Sequence, residues 1–449
     1  MGFKRETIEK WSFLYAIAKP MVKFFFKTYY RVSAHNLQNI PKDDIVIFAP
    51  NHQNALMDAL AVLSIIPGQP IFLGRADIFQ NSLQNKILTF LKMLPIYRIR
   101  DGKNNLAQNE VTFKKTIDVL KKRKKLVILP EGNHAGFRRL RPIKKGISRI
   151  AFQAEEAENY QLNIKVVPVT LDYQHYSKFH SGLYISFGEA IPVSKFYDTY
   201  QENPPKGMNM LREDLAESLK SDIVHIESEA NYDTIDQLAR FYAPERCHKL
   251  REKVKQPCLF HQEKRVVQKL TELEQENPEE LRQFSRLNKK YRQLKADLNF
   301  RDWQFRQDKF SVFSQVLQSI LLLLLFPVAA YGFIHNIVPF LIPVWSTKKV
   351  KDPQFISSFR LVIAIITFHL WYLLVFILFA ALTSLPTGFT IGYLASLPIS
   401  GFIAYHYYIG GKKNISTWRY ILKKGKKDKK LTQARNLYKE LLTKMDSFC

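Results

Sequence analysis

Residues 45–58, IVIFAPNHQNALMD, carry an apolar run into a histidine with an acidic residue six positions beyond it. The run Ile45–Phe48 has the β-branched and aromatic composition of a buried strand. His52 therefore follows the carboxyl end of a predicted strand, which is where parallel sheets place their functional sites. An imidazole there can take a proton from an alcohol near neutral pH, provided a carboxylate such as Asp58 fixes its tautomer. Taken alone, a histidine near an aspartate is more often structural.

Short apolar runs of the same kind alternate with helical patterns over residues 36–200. The other predicted strands are Ile71–Leu73, Leu126–Leu129, Ile164–Thr170 and Leu183–Phe187. Between them, apolar residues recur at helical spacing, as at Phe113, Ile117 and Leu120. This alternation predicts an α/β domain over residues 36–204, with a mostly parallel sheet flanked by helices.

Three later segments of this region could bind or orient a substrate. The strand-like stretch Leu94–Arg100 ends in arginines, which suit forked recognition of a phosphate. The turn Pro130–Gly132 is followed by basic residues and a helix, whose free N–H groups could complete a phosphate cradle. The strand Val166–Thr170 contains Pro168, which is typical of an edge strand or a strand end. Exposed arginines and a solvated basic face remain the alternatives for the first two segments.

Taken together, the order and spacing of these segments over about residues 40–190 resemble the glycerol-phosphate acyltransferase superfamily. The matching positions are Asn51-His52 with Asp58, Tyr97 with Arg100, Pro130-Glu131-Gly132, Val167-Pro168-Val169, and the basic step Lys144-Lys145-Gly146.

The resemblance implies that His52 is the general base for an acceptor hydroxyl, with Asp58 as its orienting carboxylate. The hydroxyl would attack the thioester of acyl-CoA or of an acyl carrier protein, without a metal, another cofactor or a covalent intermediate. The residues expected to bind the acceptor are Asn51, Tyr97, Arg100, Glu131, Gly132, His134, Arg138, Arg139, Lys144 and Lys145. Pro168 belongs to the acyl-donor side.

Two departures from the family pattern bear on these roles. Five residues separate His52 from Asp58, where the family usually has four, so a bulge or turn must bring the carboxylate back. A branch similar to the fungal glycerol-3-phosphate and dihydroxyacetone-phosphate acyltransferases tolerates this spacing and carries a C-terminal membrane extension. Asn133 and His134 replace the usual Thr and basic residue, so the phosphate contact either comes from His134, Arg138, Arg139 or Arg141 or is absent.

The 449-residue chain has further regions outside the α/β domain. Residues 1–35 are apolar and aromatic, with lysines and Pro20 interrupting them, which favours two short interfacial membrane-binding helices over an ordinary docking helix. Residues 205–310 are charged and predicted to be helical. Residues 311–411 form the predicted transmembrane region, and residues 412–449 a basic tail.

Within the membrane region, Ser357–Thr383 and Thr387–Tyr408 are each long enough to cross a bilayer. Phe313–Val344 contains three prolines, and we expect a re-entrant or tight hairpin there rather than one crossing, with two short crossings as the alternative that gives the same sidedness. The hairpin returns Lys348, Lys349 and Lys351 to the side of the enzyme domain. The positive-inside rule then places the catalytic domain and the tail on the cytoplasmic face.

The apolar segments predict an integral membrane protein, and the family resemblance implies an O-acyltransferase that acylates glycerol-3-phosphate in phospholipid synthesis. Lysophosphatidate or another lysolipid is the alternative acceptor. A net charge of +27 also fits a non-enzymatic protein that binds anionic lipid or nucleic acid. Nucleic acid is not expected as a partner, because the lysine runs lack aromatic interleaving. A metallohydrolase using His52, Asp58, Glu131 and His134 lacks the ligand spacing of a zinc site.

Overall fold

A computed structural model describes residues 5–79, 81–97, 108–133 and 136–448 of the chain. The chain divides into two compact units. The first comprises Met1–His225, Lys255–Phe260 and Val350–Ser358, and the second comprises Ile226–Val254, His261–Lys349 and Phe359–Cys449.

The first unit is built on an eight-stranded sheet. Its strands are β1 (Tyr30–His35), β2 (Val46–Pro50), β3 (Ile71–Arg75), β4 (Met93–Ile96), β5 (Leu126–Val127), β6 (Lys165–Tyr173), β7 (Ser181–Phe187) and β8 (Ile191–Pro192). Their order is β1-β7-β6-β2-β5-β3-β4, with β8 beside β6. The strands β6, β2, β5, β3 and β4 pair in parallel, whereas β7 and β8 run antiparallel to β6. The predicted mostly parallel α/β fold is confirmed.

Helices cover this sheet and bury its apolar residues. They are α1 (Phe13–Tyr29), α2 (Leu56–Ile65), α3 (Ser82–Phe90), α4 (Gln108–Lys121), α5 (Gly146–Glu156), α6 (Tyr197–Glu202) and α7 (Pro204–Asp222). One buried cluster joins Ile47 and Val166 of the sheet to Ile150 of α5 and Leu215 of α7. Each such side chain contributes about 1.5–3 kcal/mol on burial. The sheet edge that follows β2, β5 and β6 is therefore held on a rigid scaffold.

The N-terminal region differs from the prediction in two ways. Instead of two short helices, α1 is a single helix that contains Pro20. The chain then continues into β1, which pairs with β7, so the α/β fold begins before residue 36. Burial of Phe26 and the pairing of β1 hold the helix in place despite the hydrogen bond that proline removes. Phe13 and Phe24 remain largely exposed, and interfacial membrane binding stays a prediction.

Pro168 lies in the interior of the sheet, so the expectation of an edge strand or strand end is wrong. β6 has β2 on one side and the pair β7 and β8 on the other. β8 pairs with β6 only as far as Val166, and β7 pairs with it from Val169 onward. Pro168 fills the gap between these partners, where its missing N–H breaks no ladder bond, while its carbonyl accepts from the Gly188 N–H at 2.9 Å.

The remaining helices are α8 (Tyr232–Lys249), α9 (Gln256–Glu276), α10 (Pro278–Asp297), α11 (Asp302–Gln307), α12 (Val312–Ser346), α13 (Ile356–Leu382), α14 (Thr387–Gly425) and α15 (Lys429–Phe448). By length and composition, three helical segments could cross a membrane: Val312–Lys349, Pro353–Leu382 and Thr387–Gly425. The last of them runs unbroken through the predicted boundary between membrane region and basic tail.

The predicted hairpin at residues 313–344 is wrong, because α12 is one continuous helix. A helical proline frees the carbonyl four residues before it. The carbonyl of His335, freed by Pro339, accepts from Trp371 Nε1 at 2.7 Å. The carbonyl of Pro339, freed by Pro343, accepts from Thr367 Oγ1 at 3.3 Å. Side chains of α13 thus satisfy the backbone carbonyls that Pro339 and Pro343 free, which helps the helix to continue there in an apolar setting.

Candidate active site

Asn51 fixes the exit of β2 against β6. Its side chain donates from Nδ2 to the Leu171 carbonyl at 3.1 Å and accepts the Leu171 N–H at Oδ1 at 2.7 Å. Its backbone N–H donates to the Val169 carbonyl. The side chain is buried, so these bonds extend the parallel ladder by two residues and set the position at which His52 leaves the sheet.

His52 and Asp58 form the predicted pair. His52 Nδ1 lies 2.9 Å from Asp58 Oδ2, and Asp58 is fully buried. A carboxylate at that distance holds the proton on Nδ1, so Nε2 is the nitrogen that is able to accept a proton. The separation is within hydrogen-bond reach, which is the geometry required of a base and its orienting group.

Asp58 accepts three further hydrogen bonds. The backbone N–H groups of Gln53 and Asn54 each donate to Oδ2 at 2.7 Å. The Tyr173 hydroxyl donates to Oδ1 at 2.8 Å. Four donors therefore converge on one buried carboxylate, which stabilises its charge and prevents it from turning away from His52.

The extra residue between His52 and Asp58 is absorbed by a turn, as the sequence required. Ala55 has a positive φ of 45°, a conformation that is uncommon for a residue with a side chain. The Met57 N–H donates to the Asn54 carbonyl, and α2 begins at Leu56. Asp58 consequently lies in the first turn of α2, where the helix dipole also favours a negative charge.

Glu131, in the loop that follows β5, holds the backbone of the loop that contains His52. Its Oε1 accepts the His52 backbone N–H at 2.6 Å, and its Oε2 accepts the Arg141 N–H at 3.0 Å. Burial raises the pKa of Glu131 to about 7, against the opposing effect of these two N–H donors. Gly132, which follows, has a φ of 67°, and a Cβ there would lie 3.3 Å from Lys144 Cγ. The Pro-Glu-Gly turn thus holds the backbone of the histidine.

The basic residues beyond this turn separate into two groups. Arg138 is turned inward, with its guanidinium 3.4 Å from Asp172 Oδ1 and almost no exposed surface. Arg139 is half-buried, while Lys144 and Lys145 are exposed next to the start of α5. The Lys144 N–H donates to the Pro130 carbonyl at 2.8 Å, which fixes this part of the loop beside Glu131.

Tyr97 lies directly after β4, and its backbone N–H and carbonyl both bond to the Asn109 side chain, at 2.9 and 2.8 Å. Arg100 and His134 lie outside the described residues, so their predicted roles stay predictions.

Sequence reasoning missed Tyr173 and Asn54, although both are tied to Asp58. A tyrosine at the carboxyl end of β6, next to the strand that leads into His52, was the available signal for the first. Over the described ranges, no group of three or more His, Cys, Asp or Glu side chains is placed to hold a metal ion. His134, which the metallohydrolase hypothesis needs, lies outside the described residues, so that hypothesis stays untested.

Known proteins resemble the part of the chain that carries this site. Residues 31–172 match the model of the Acyltransferase family. Glycerol-3-phosphate O-acyltransferase 2 of Saccharomyces cerevisiae is 32% identical over 140 residues, which cover 30% of this chain and 18% of that protein. The chloroplastic 1-acyl-sn-glycerol-3-phosphate acyltransferase BAT2 of Brassica napus is 27% identical over 162 residues, which cover 36% of this chain and 42% of that protein.

The matches thus cover less than half the length of these curated relatives. Among solved structures, the 1-acyl-sn-glycerophosphate acyltransferase of Thermotoga maritima gives a TM-score of 0.33 at 18% identity, over 46% of this chain and 81% of that one. The family match contains both His52 and Asp58. Residues 31–172 are therefore an acyltransferase domain of the glycerolipid acyltransferase superfamily.

Proposed function

We propose that this protein is a membrane-bound O-acyltransferase that moves a fatty acyl group from a thioester to the hydroxyl of glycerol-3-phosphate in phospholipid synthesis. The observation that carries the proposal is the 2.9 Å contact between His52 Nδ1 and Asp58 Oδ2, inside the matched acyltransferase domain.

In the proposed mechanism, Nε2 of His52 removes the proton from the acceptor hydroxyl as its oxygen attacks the thioester carbonyl carbon. The tetrahedral intermediate collapses with cleavage of the C–S bond, which leaves an acyl ester on the acceptor. The imidazolium gives its proton to the departing thiolate, so the histidine returns to its neutral form. Asp58 stabilises the imidazolium while it exists.

The surroundings of Asp58 support this role. A carboxylate with four fixed donors needs no rearrangement when positive charge develops on His52, which is the preorganisation that lowers a reaction barrier. Glu131 holds the His52 backbone at the same time, so both partners of the pair are anchored independently.

For the acceptor phosphate we propose Lys144 and Lys145 as ligands, with Arg139, Arg100, Tyr97 and His134 completing the site. The two lysines are exposed beside the N-terminus of α5, where free N–H groups and the helix dipole favour an anion. Arg138 would support the phosphate site indirectly, through its contact with Asp172. To contact the acceptor phosphate itself, its side chain would have to turn outward when the acceptor binds.

The choice of acceptor is the finer part of the proposal. Glycerol-3-phosphate is favoured by the name of the yeast relative and by the long C-terminal region with its apolar helices. Lysophosphatidate is the second candidate, because the Brassica napus relative is a 1-acyl-sn-glycerol-3-phosphate acyltransferase.

One assay separates these acceptors. The full chain in lipid nanodiscs is given labelled glycerol-3-phosphate or lysophosphatidate, with acyl-CoA and acyl carrier protein thioester as donors in separate reactions. We expect acylation of glycerol-3-phosphate to be the faster reaction. Faster acylation of lysophosphatidate would transfer the assignment to the second step, and no transfer to either acceptor or to other lysolipids would overturn the proposal.

We further propose that the catalytic domain and the basic tail face the cytoplasm, which requires an even number of crossings, so that α13 and α14 cross the membrane and α12 does not. In support, Val350–Ser358, which includes Lys351 and connects two apolar helices, belongs to the unit that holds the catalytic pair. The exposed aromatic residues of α1 and the net charge of +27 would hold this unit on anionic lipid. Glycosylation acceptor loops test the sidedness: we expect modification when one is inserted at Thr383–Pro386 and none in the tail, and the reverse pattern would contradict it.

A further inference from the structure

The segment Val350–Ser358 reaches the catalytic loop although it lies some 300 residues further along the chain, between two apolar helices. Ser357 is buried at the start of α13, and its hydroxyl donates to Asn54 Oδ1 at 2.6 Å. Gln354 of the same segment lies 3.3 Å from the position that a Cβ on Gly136 would take. The segment therefore contacts both the loop after β2 and the loop after β5.

Asn54 connects this contact to the catalytic pair. It is fully buried, and its backbone N–H is one of the donors that hold Asp58 Oδ2. Its side-chain Nδ2 donates to the Tyr30 hydroxyl at 3.0 Å. The Tyr30 ring in turn packs edge-on against Tyr173, at 5.2 Å between ring centroids. Asn54 is thus fixed on both sides of its amide, by Tyr30 and by Ser357.

Asn54 also immediately precedes Ala55, whose positive φ produces the turn that returns Asp58 to His52. A shift of Asn54 would move both its own N–H and this turn. The turn exists because the spacing between His52 and Asp58 is one residue longer than the family usually has. The hydrogen bonds of Asn54 with Tyr30 and Ser357 hold the chain directly before this turn.

We propose that Ser357 is a positioning residue for the catalytic pair, through which the segment between two apolar helices holds the His52–Asp58 turn in its working geometry. The inference rests on the proposed acyltransferase function. Without the Ser357 hydroxyl, Asn54 Oδ1 loses its buried donor, and a buried acceptor left without a donor favours rearrangement. The rearrangement would slow the step in which His52 removes the proton, and it would leave substrate binding unchanged.

The test compares Ser357→Ala with Ser358→Ala in the full chain in nanodiscs. Ser358 is the matched control, since its Oγ is buried and has no hydrogen-bond partner among the residues that the structure describes. We expect Ser357→Ala to lower kcat about tenfold, with the KM values of donor and acceptor unchanged. Ser358→Ala should leave kcat within about twofold of the wild-type value.

A second variant removes the other end of the same bond and guards against misfolding. Asn54→Ala should lower kcat at least as much, and adding Ser357→Ala to it should cause little further loss, because residues that act through one bond are not additive. Each kcat is measured on protein that elutes as a single species with a cooperative thermal transition. If Ser357→Ala cannot be isolated in that form, Asn54→Ala decides the question.

Two results would overturn the inference. One is a kcat for Ser357→Ala equal to that of Ser358→Ala while His52→Ala abolishes activity; the other is full additivity of the two losses. If instead His52→Ala keeps wild-type activity, the result contradicts the proposed function itself, on which the inference about Ser357 rests.

Discussion

The loops that follow β2 and β5 both carry family motifs, yet they use their polar residues differently. In the loop after β2, the polar groups of Asn51, His52 and Asp58 are tied to one another and to β6 by buried hydrogen bonds. In the loop after β5, the residues divide: Glu131 turns inward to hold His52, while Lys144 and Lys145 face solvent.

This comparison shows that one family motif can contain both residues that hold the protein backbone in place and residues that are available to bind a substrate. A buried side chain with all its bonding capacity used by the protein must act by position, and its removal should change kcat. An exposed cation near a helix N-terminus can act by binding, and its removal should change KM. The variants below are ordered by expected effect and ask whether the two loops divide in this way.

The largest of these effects is expected in the loop after β2, for Asp58→Asn. An amide cannot accept from His52 Nδ1 and from the Gln53 and Asn54 N–H groups as the carboxylate does, and it does not stabilise the imidazolium. We expect kcat to fall about 10²- to 10³-fold, within the range that a positioned base contributes. The control is a thermal transition that shows intact folding, and a kcat within fivefold of wild type would show that Asp58 does not orient the base.

A smaller effect is expected for Glu131→Gln, which replaces one of the two acceptors by an N–H₂ group facing a backbone N–H. We expect a loss of about 10- to 100-fold in kcat, because a hydrogen bond to a charged group contributes about 1.5–3 kcal/mol. The KM of the acceptor should stay the same. A raised KM with unchanged kcat would make Glu131 a substrate ligand instead.

Glu131 also predicts a pH dependence of stability. Its folded-state pKa is raised from 4.5 to about 7, so the folded protein binds this proton more tightly than the unfolded chain does. The associated stability is complete below about pH 4.5 and is lost as the pH rises to about 7. As the pH rises from about 4.5 to about 7, the Tm of Glu131→Gln should therefore rise relative to the Tm of the wild type. A constant Tm difference across this range would contradict the raised pKa.

The smallest effect is expected for Lys144→Ala and Lys145→Ala, since exposed ion pairs contribute about 0.2–1 kcal/mol each. We expect the acceptor KM to rise about two- to fivefold, and less at high salt, with kcat unchanged. Lys206→Ala, which removes another exposed charge on α7, is the control. A fall in kcat without a change in KM would remove the distinction between the loops.

The fold was predictable where local pattern decides structure. Runs such as Ile71–Leu73 and Leu183–Phe187 form strands because buried strands need continuous apolar residues, and both became strands. The pair His52 and Asp58 was predictable from the family pattern, and the need for a turn followed from its spacing. Asp58 contacts His52 because Ala55 adopts a backbone that spacing alone could not specify.

The remaining features depend on residues distant in sequence. Arg138 resembles an exposed phosphate ligand until Asp172 of β6 lies beside it. The sequence of α12 suggests a broken helix, but Trp371 and Thr367 donate to the carbonyls that Pro339 and Pro343 free. The sequence around Ser357 does not indicate its contact with the catalytic loop, because its partner Asn54 lies 303 positions away. Periodicity reports which face is buried, but it cannot report which partner covers it.

The central claim is that His52 is the base of an acyl transfer. Its most direct test is the acylation rate of His52→Ala, measured with the preferred acceptor at saturating donor. We predict a loss of about 10³- to 10⁴-fold in kcat, with donor binding and the thermal transition unchanged. A folded His52→Ala protein that keeps a tenth or more of the wild-type rate would contradict the claim.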